Sequence, residues 1–114
     1  MEFPPNQGLD QEEVDEQVAE ALEENEVVLF MKGTELMPQC GYSRKALGLL
    51  DQHRDEFETV DVLESLDEFR RALSERSDWE TIPQTFVDGE FVGGSDILEE
   101  LEERNELAET LNAA

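Results

Sequence analysis

Val27-Val28-Leu29-Phe30-Met31 is an unbroken apolar run in a chain of which 34% is charged. A strand with one wet face alternates apolar and polar residues. A continuous run is the pattern of a strand buried on both faces. Everything else in the chain must supply its cover.

The flanking segments read as that cover. Val14, Val18, Ala21 and Leu22 recur at helical spacing from a start near Asp10. Lys32 to Gln39 is a loop broken by Gly33 and Pro38, and a second helix is expected from Cys40 or Gly41, with Ala46, Leu47, Leu49 and Leu50 inward. Phe57 to Val62 alternates with period two, Phe57 with Thr59 and Val60 with Val62, and predicts a strand with a switch of face. Ser65 to Ser77 predicts a third helix, with Leu66, Phe69, Ala72 and Leu73 inward. Thr85 to Val92 is two β-rich runs around Asp88-Gly89, a strong hairpin signal. Gly93-Gly94 breaks the chain, and Ser95 is expected to cap a final helix with Ile97, Leu98 and Leu101 inward. The order α-β-α-β-α-β-β-α implies a parallel pair joined through a helix and an antiparallel hairpin. This predicts an α/β, thioredoxin-like three-layer fold. It has a four-stranded mixed sheet, flanking helices and an extra N-terminal helix.

At 114 residues the chain has room for one domain, expected over 10–114, after a flexible lead-in over 1–9 that carries Pro4, Pro5 and Gly8. Leu, Ile, Val and Phe make up 30 residues, enough for a core despite 31 acids against 8 bases and a net charge of −23. Such a surface repels nucleic acid and anionic membrane. The acids are spread along the chain. That suits a solvated, salt-adapted surface better than an acidic docking face, which should be localised. A single cysteine excludes an intramolecular disulfide. No apolar run approaches a membrane span, and the N-terminus lacks the regions of a signal peptide, so a cytoplasmic location is expected.

Cys40 carries the chemistry. At a helix start, orphan N–H groups and the positive dipole end favour a thiolate, and Lys32 on the same loop adds positive charge. An inert buried cysteine would sit among apolar neighbours inside an element. The flanks Pro38-Gln39 and Gly41-Tyr42-Ser43 do not fit that. Ser43 stands where a Cys-x-x-Cys motif would place its second sulfur, so Cys40 must work with an external thiol, a second chain or a metal centre. Pro83 is either a strand-start residue or a cis proline facing the thiol, with the preceding backbone free to pair with an extended ligand. The turn Gly93-Gly94-Ser95-Asp96 is either an ordinary capped helix or a carboxylate site, with Asp96 accepting from an adjacent ammonium. His53 has no second His or Cys near it, and Met31, Met37 and Trp79 are expected to pack, the Trp79 indole finding a hydrogen-bond partner there.

Val28 to Thr34, Pro38 to Ser43, Trp79, Thr81 to Gln84 and Gly89 to Asp96 resemble monothiol glutaredoxins of the Cys-Gly-Phe-Ser type, in register from about Val14 to Leu111. The resemblance implies glutathione binding, a [2Fe–2S] cluster shared by two subunits, and delivery of that cluster to recipient iron–sulfur proteins. It implies Cys40 as thiol and cluster ligand. Lys32 and Arg70 would hold the glycine carboxylate of glutathione, with Ile82 and Pro83 as its backbone docking strand. Gly94, Ser95 and Asp96 would grip its γ-glutamyl end. Four departures stand out: Tyr42 for Phe, which adds a hydroxyl beside the cluster site; Glu80 for Pro; Ser95 for Cys; and Glu35-Leu36-Met37 for Pro-Glu-Phe. The acidic composition suggests a salt-adapted archaeon, where γ-glutamylcysteine is an alternative to glutathione.

Two functions follow. One is a cluster carrier, a homodimer when loaded and a monomer when apo: a [2Fe–2S] centre needs four thiolates, two from two chains and two from small thiols. The other is a thiol–disulfide oxidoreductase reducing mixed disulfides through Cys40. The monothiol resemblance favours the carrier, with weak reductase activity. A plain interaction module leaves the loop and groove residues unexplained. The charge balance yields its own prediction. Self-repulsion at net −23 is screened once the Debye length falls to about 3 Å near 1 M salt. The thermal midpoint should therefore rise from low to multimolar KCl, and a flat or falling series would end the salt-adaptation reading.

Overall fold

In the computed structural model, which describes residues 8–113, the apolar run is strand β1 (Val27–Met31), buried along its whole length. β1 is central. It pairs in parallel with β2 (Glu58–Asp61) and antiparallel with β3 (Gln84–Val87), and β3 pairs with β4 (Glu90–Gly93), giving the order β2-β1-β3-β4. Helices α1 (Gln11–Glu24) and α3 (Leu66–Ser77) cover one face; α2 (Gly41–Asp51), α4 (Ser95–Glu103) and a short α5 (Leu107–Thr110) cover the other.

The alternation of β1 divides the core. Val28 and Phe30 join Val14, Val18, Phe69, Leu73 and Phe86 on the first face; Val27, Leu29 and Met31 join Ala46, Leu50, Leu98, Leu107 and Leu111 on the second. Phe30 is the hub of the first layer, with its ring centroid 5.6 Å from Phe86 in an edge-on arrangement and 6.3 Å from Phe69. Such aromatic pairs add to what burial alone contributes.

The boundaries are set by local chemistry. Asp10 caps α1 in a capping box with Glu13. Asp88 and Gly89 both have positive φ, 52° and 80°, which is the backbone a two-residue type I′ hairpin turn requires. β2 is shorter than the expected Phe57–Val62, and no face switch is needed. Val60 and Val62 face the first layer and Phe57 packs on the second. The strand stops because one Asp61 carboxylate oxygen accepts from the N–H of Gly33 and of Leu63. A 3₁₀ turn, Leu63–Ser65, then leads into α3.

Of the expected lead-in, residues 1–7 lie outside the described residues. Leu9 is tied down by a 2.7 Å bond from its N–H to Ser65 Oγ. At the other end, α4 closes in a Schellman motif on Asn105, with φ 60°: the N–H groups of Asn105 and Glu106 donate to the carbonyls of Glu102 and Leu101. This reverses the chain into α5, an element the sequence reading lacks, which buries Leu107 and leads into buried Leu111.

The central role of Phe30 gives a stability prediction. Phe30→Ala should destabilise the fold by about 3–5 kcal/mol, read as a lower urea midpoint. A loss under about 1 kcal/mol would show that the first layer does not depend on it.

Candidate functional site

The C-terminal end of β1 delivers the site. Beyond Met31 the chain enters the Lys32–Gln39 loop, closed by a bridge between Gly33 and Pro38 and by mutual backbone bonds of Thr34 and Met37. The loop returns the chain to Cys40, whose extended backbone (φ −151°, ψ 136°) makes it the N-cap of α2. Its carbonyl accepts the Arg44 N–H at 2.9 Å.

Cys40 is half-buried, the free thiol among the described residues. Burial is the largest influence on its ionisation and opposes it. The amides of Ser43 and Tyr42, the Ser43 hydroxyl and the Lys32 charge together outweigh burial, and the pKa is lowered. No side-chain hydrogen bond caps α2 at Cys40. A neutral thiol is a weak acceptor, so the amides act on the anion. Ser43 is the residue that sequence reasoning undervalued. Treated as a missing second sulfur, it is fully buried, and its Oγ accepts the Lys32 N–H at 3.0 Å. That bond holds the hydroxyl where it favours the Cys40 thiolate.

Beside the thiol runs a groove of about 470 Å³. Its walls are formed by Tyr42, two residues past the thiol, and by Trp79, Thr81, Ile82 and Pro83. Gly94, Ser95, Asp96 and Ile97 close it at the start of α4. The Ile82–Pro83 peptide bond is cis. Thus Tyr42, Ile82, Pro83, Gly94, Ser95 and Asp96, all named from the sequence, meet in one cavity. Cys40 and Lys32 are not among its lining residues. Arg70 is not among its lining residues: it sits on α3, half-exposed, 3.8 Å from Asp67.

Several expectations need correction. Ser95 does not cap α4: Gly94 is the N-cap, and Ser95 is the buried first helical residue. Ile97 does not face the core. It is exposed in the groove, because its neighbour Leu98 takes the buried direction and a helix turns about 100° per residue. Gly93 lets the two approach: a Cβ there would lie 2.6 Å from that of Ile97. Met31 packs as expected, but Met37 is 67% exposed beside Leu36 at 97%, both carried outward on the loop. Trp79 is half-exposed as a groove wall. Its backbone carbonyl, which accepts from Gln84, and its N–H make the hydrogen bonds found there, and the indole makes none among the described residues. Trp79, Thr81 and Ile97 were missed as groove residues. The Trp-x-Thr-Ile-Pro spacing was the available signal for the first two. His53 Nε2–H donates to the Glu102 carboxylate at 2.7 Å, a tie between the end of α2 and α4.

Sheet order and thiol placement define a thioredoxin-like thiol protein. A glutaredoxin family model matches residues 27–92. An uncharacterized monothiol glutaredoxin of Synechocystis sp. is 52% identical over 79% of this chain and 83% of its own. The mitochondrial monothiol glutaredoxin-5 of Saccharomyces cerevisiae is 43% identical over 90% of this chain and 69% of its own. The solution structure of reduced apo GrxS14 from poplar superposes with a TM-score of 0.75 at 39% identity, covering 87% of this chain and 90% of that one. The chain belongs to the glutaredoxin family, and relatives in it are monothiol glutaredoxins.

The thiol environment is testable directly. Because the Cys40 pKa is lowered, thiolate persists below the usual pKa. The midpoint of alkylation against pH should therefore fall under the free-thiol value of about 8.5. Ser43→Ala removes one stabiliser of the anion and should move the midpoint up. A wild-type midpoint at or above the free value, or no movement in Ser43→Ala, contradicts this account.

Proposed function

We propose that the protein binds a [2Fe–2S] cluster together with a small thiol and passes it to iron–sulfur proteins during their maturation. The observation that carries this reading is one activated thiol per chain, Cys40, beside a groove with an apolar wall and a helix N-terminus at its end. Among the described residues no three His, Cys, Asp or Glu side chains are grouped to hold a metal. The cluster, as cargo, would take its four thiolates from two chains and two small thiols. The local shape fits: a Cβ on Gly41 would meet no atom within 4 Å, so the space next to Cys40 is open.

In this reading the small thiol lies along the groove. Its backbone pairs with the Ile82 main chain ahead of Pro83. Its γ-glutamyl carboxylate meets the amides of Gly94 to Asp96, and its ammonium meets the Asp96 carboxylate. Lys32 and Arg70 receive the far carboxylate of glutathione. For Arg70 this requires the side chain to leave Asp67, a loose and partly exposed pair at 3.8 Å that is cheap to give up. The proposal extends to the setting: the acidic surface serves a salt-adapted, archaeal cytoplasm, in which γ-glutamylcysteine could replace glutathione.

Reconstitution with iron, sulfide and either thiol should give a coloured dimer. Cys40→Ser should abolish it. Asp96→Ala should raise the thiol concentration needed by roughly tenfold for either thiol, the scale of one charge-assisted bond. Arg70→Ala should hurt glutathione more than γ-glutamylcysteine, which lacks the glycine carboxylate. A cluster retained in Cys40→Ser, or held by a monomer, refutes the carrier. Rapid turnover of protein–glutathione mixed disulfides without cluster binding would establish the oxidoreductase instead.

A further inference from the structure

Gln84 opens β3 directly after Pro83 and is fully buried. Its position is unusual for a side chain carrying four hydrogen-bonding sites. Its Nε2 donates to the Trp79 carbonyl at 2.7 Å and to the Thr81 carbonyl at 3.3 Å. Its Oε1 is buried with no hydrogen-bond partner. A buried acceptor without a partner is costly, and an apolar side chain of the same length would avoid that cost. The two donors must therefore matter more than the orphaned acceptor.

What the donors hold is the groove wall. The Trp79–Thr81 segment has no regular structure, and all three of its residues are exposed. On its upstream side Ser77 Oγ accepts the Trp79 N–H at 3.1 Å. That hydroxyl's one proton is shared between the Leu73 carbonyl at 2.9 Å and, at the longer 3.1 Å, the Trp79 carbonyl. Gln84 makes the shorter bond to the Trp79 carbonyl and the bond to the Thr81 carbonyl. We infer that Gln84 is a positioning residue: its buried amide clamps the Trp79–Thr81 wall from beneath and so sets the width of the groove in which the small thiol lies. Trp79 and Thr81 touch the ligand in this arrangement, and Gln84 acts only through them.

The inference rests on the proposed function for its ligand, but not for its main measurement. Trp79 is the chain's single tryptophan, so indole fluorescence reports the wall alone. Gln84→Met keeps the length and removes both donors. In this variant acrylamide should quench Trp79 more strongly than in the wild type. Binding of reduced glutathione, by isothermal titration, should weaken by roughly tenfold. The alkylation midpoint of Cys40, which is not among the residues that Gln84 bonds, should not move. A general loosening of the fold would move all three. Unchanged quenching, or altered quenching with unchanged glutathione binding, overturns the inference. If the wild type itself binds no glutathione, the proposed function fails, and the quenching comparison alone decides the role of Gln84. If the variant does not fold, the wild type decides. Both side-chain amide protons of Gln84 should then exchange slowly with solvent by NMR, and fast exchange overturns the clamp.

Discussion

Burial of β1 on both faces is the constraint on which the rest depends. A chain with net charge −23 and 30 large aliphatic or Phe residues has apolar material for one central strand and its two covers. Both helical layers pack against that strand, Val28 and Phe30 on one side, Val27, Leu29 and Met31 on the other. Because β1 is rigid and central, its C-terminal end is a fixed point. The loop from Lys32 to Gln39 starts and ends there, since the Gln39 N–H returns to the Lys32 carbonyl at 2.9 Å. The thiol is therefore held at the edge of the core and is not carried on a free loop.

The chemistry of the thiol grows out of the same fixed point. The Lys32 N–H is the donor that holds Ser43 Oγ, so the last residue of the loop's entry orients the hydroxyl that favours the thiolate. The Lys32 side chain adds a second, longer-range contribution. In high salt these two differ in durability. Hydrogen bonds from amides and a buried hydroxyl act at contact and exclude ions, whereas a half-exposed ammonium is screened within a Debye length of about 3 Å near 1 M. A thiol activated mainly by contacts would keep its reactivity over a wide range of ionic strength.

Much of this was legible in the residues. The run Val27–Met31, the Asp88-Gly89 turn and the breaks around Gly33, Pro38 and Gly93-Gly94 each have one strong local solution, and the sheet and most of the site follow from them. The parts that were not legible were decided by competition between neighbours. Ile97 and Leu98 are both apolar, but a helix turns about 100° per residue, so only one faces the core: Leu98 is buried and Ile97 lies against Gly93. Ser95 has the chemistry of a cap, yet the chain enters α4 one residue earlier and buries it. Helix α5 depends on Asn105 adopting positive φ, for which Asn is a weaker signal than Gly. Gln84 was read only as part of the Thr81–Gln84 motif, because nothing in sequence separates a buried amide from an exposed one.

The groove also bears on a conflict between the protein's charge and the ligand proposed for it. A small thiol with two carboxylates is repelled by a surface of net −23. Long-range attraction cannot recruit it, and the other lysine, Lys45, is committed to Glu99 at 2.9 Å. That pair raises the Lys45 pKa through its hydrogen bond to Glu99. For the proposed thiol, recognition would then rest on groups that act at contact: the amides at the start of α4, the Ile82 main chain and the Asp96 carboxylate, with Lys32 and Arg70 at the far end. The lining residues include no Lys or Arg, so along the groove itself shape and backbone carry more of the proposed selection than positive charge. A site of that kind depends on wall geometry more than on charge, and so places weight on the buried contacts that hold the wall.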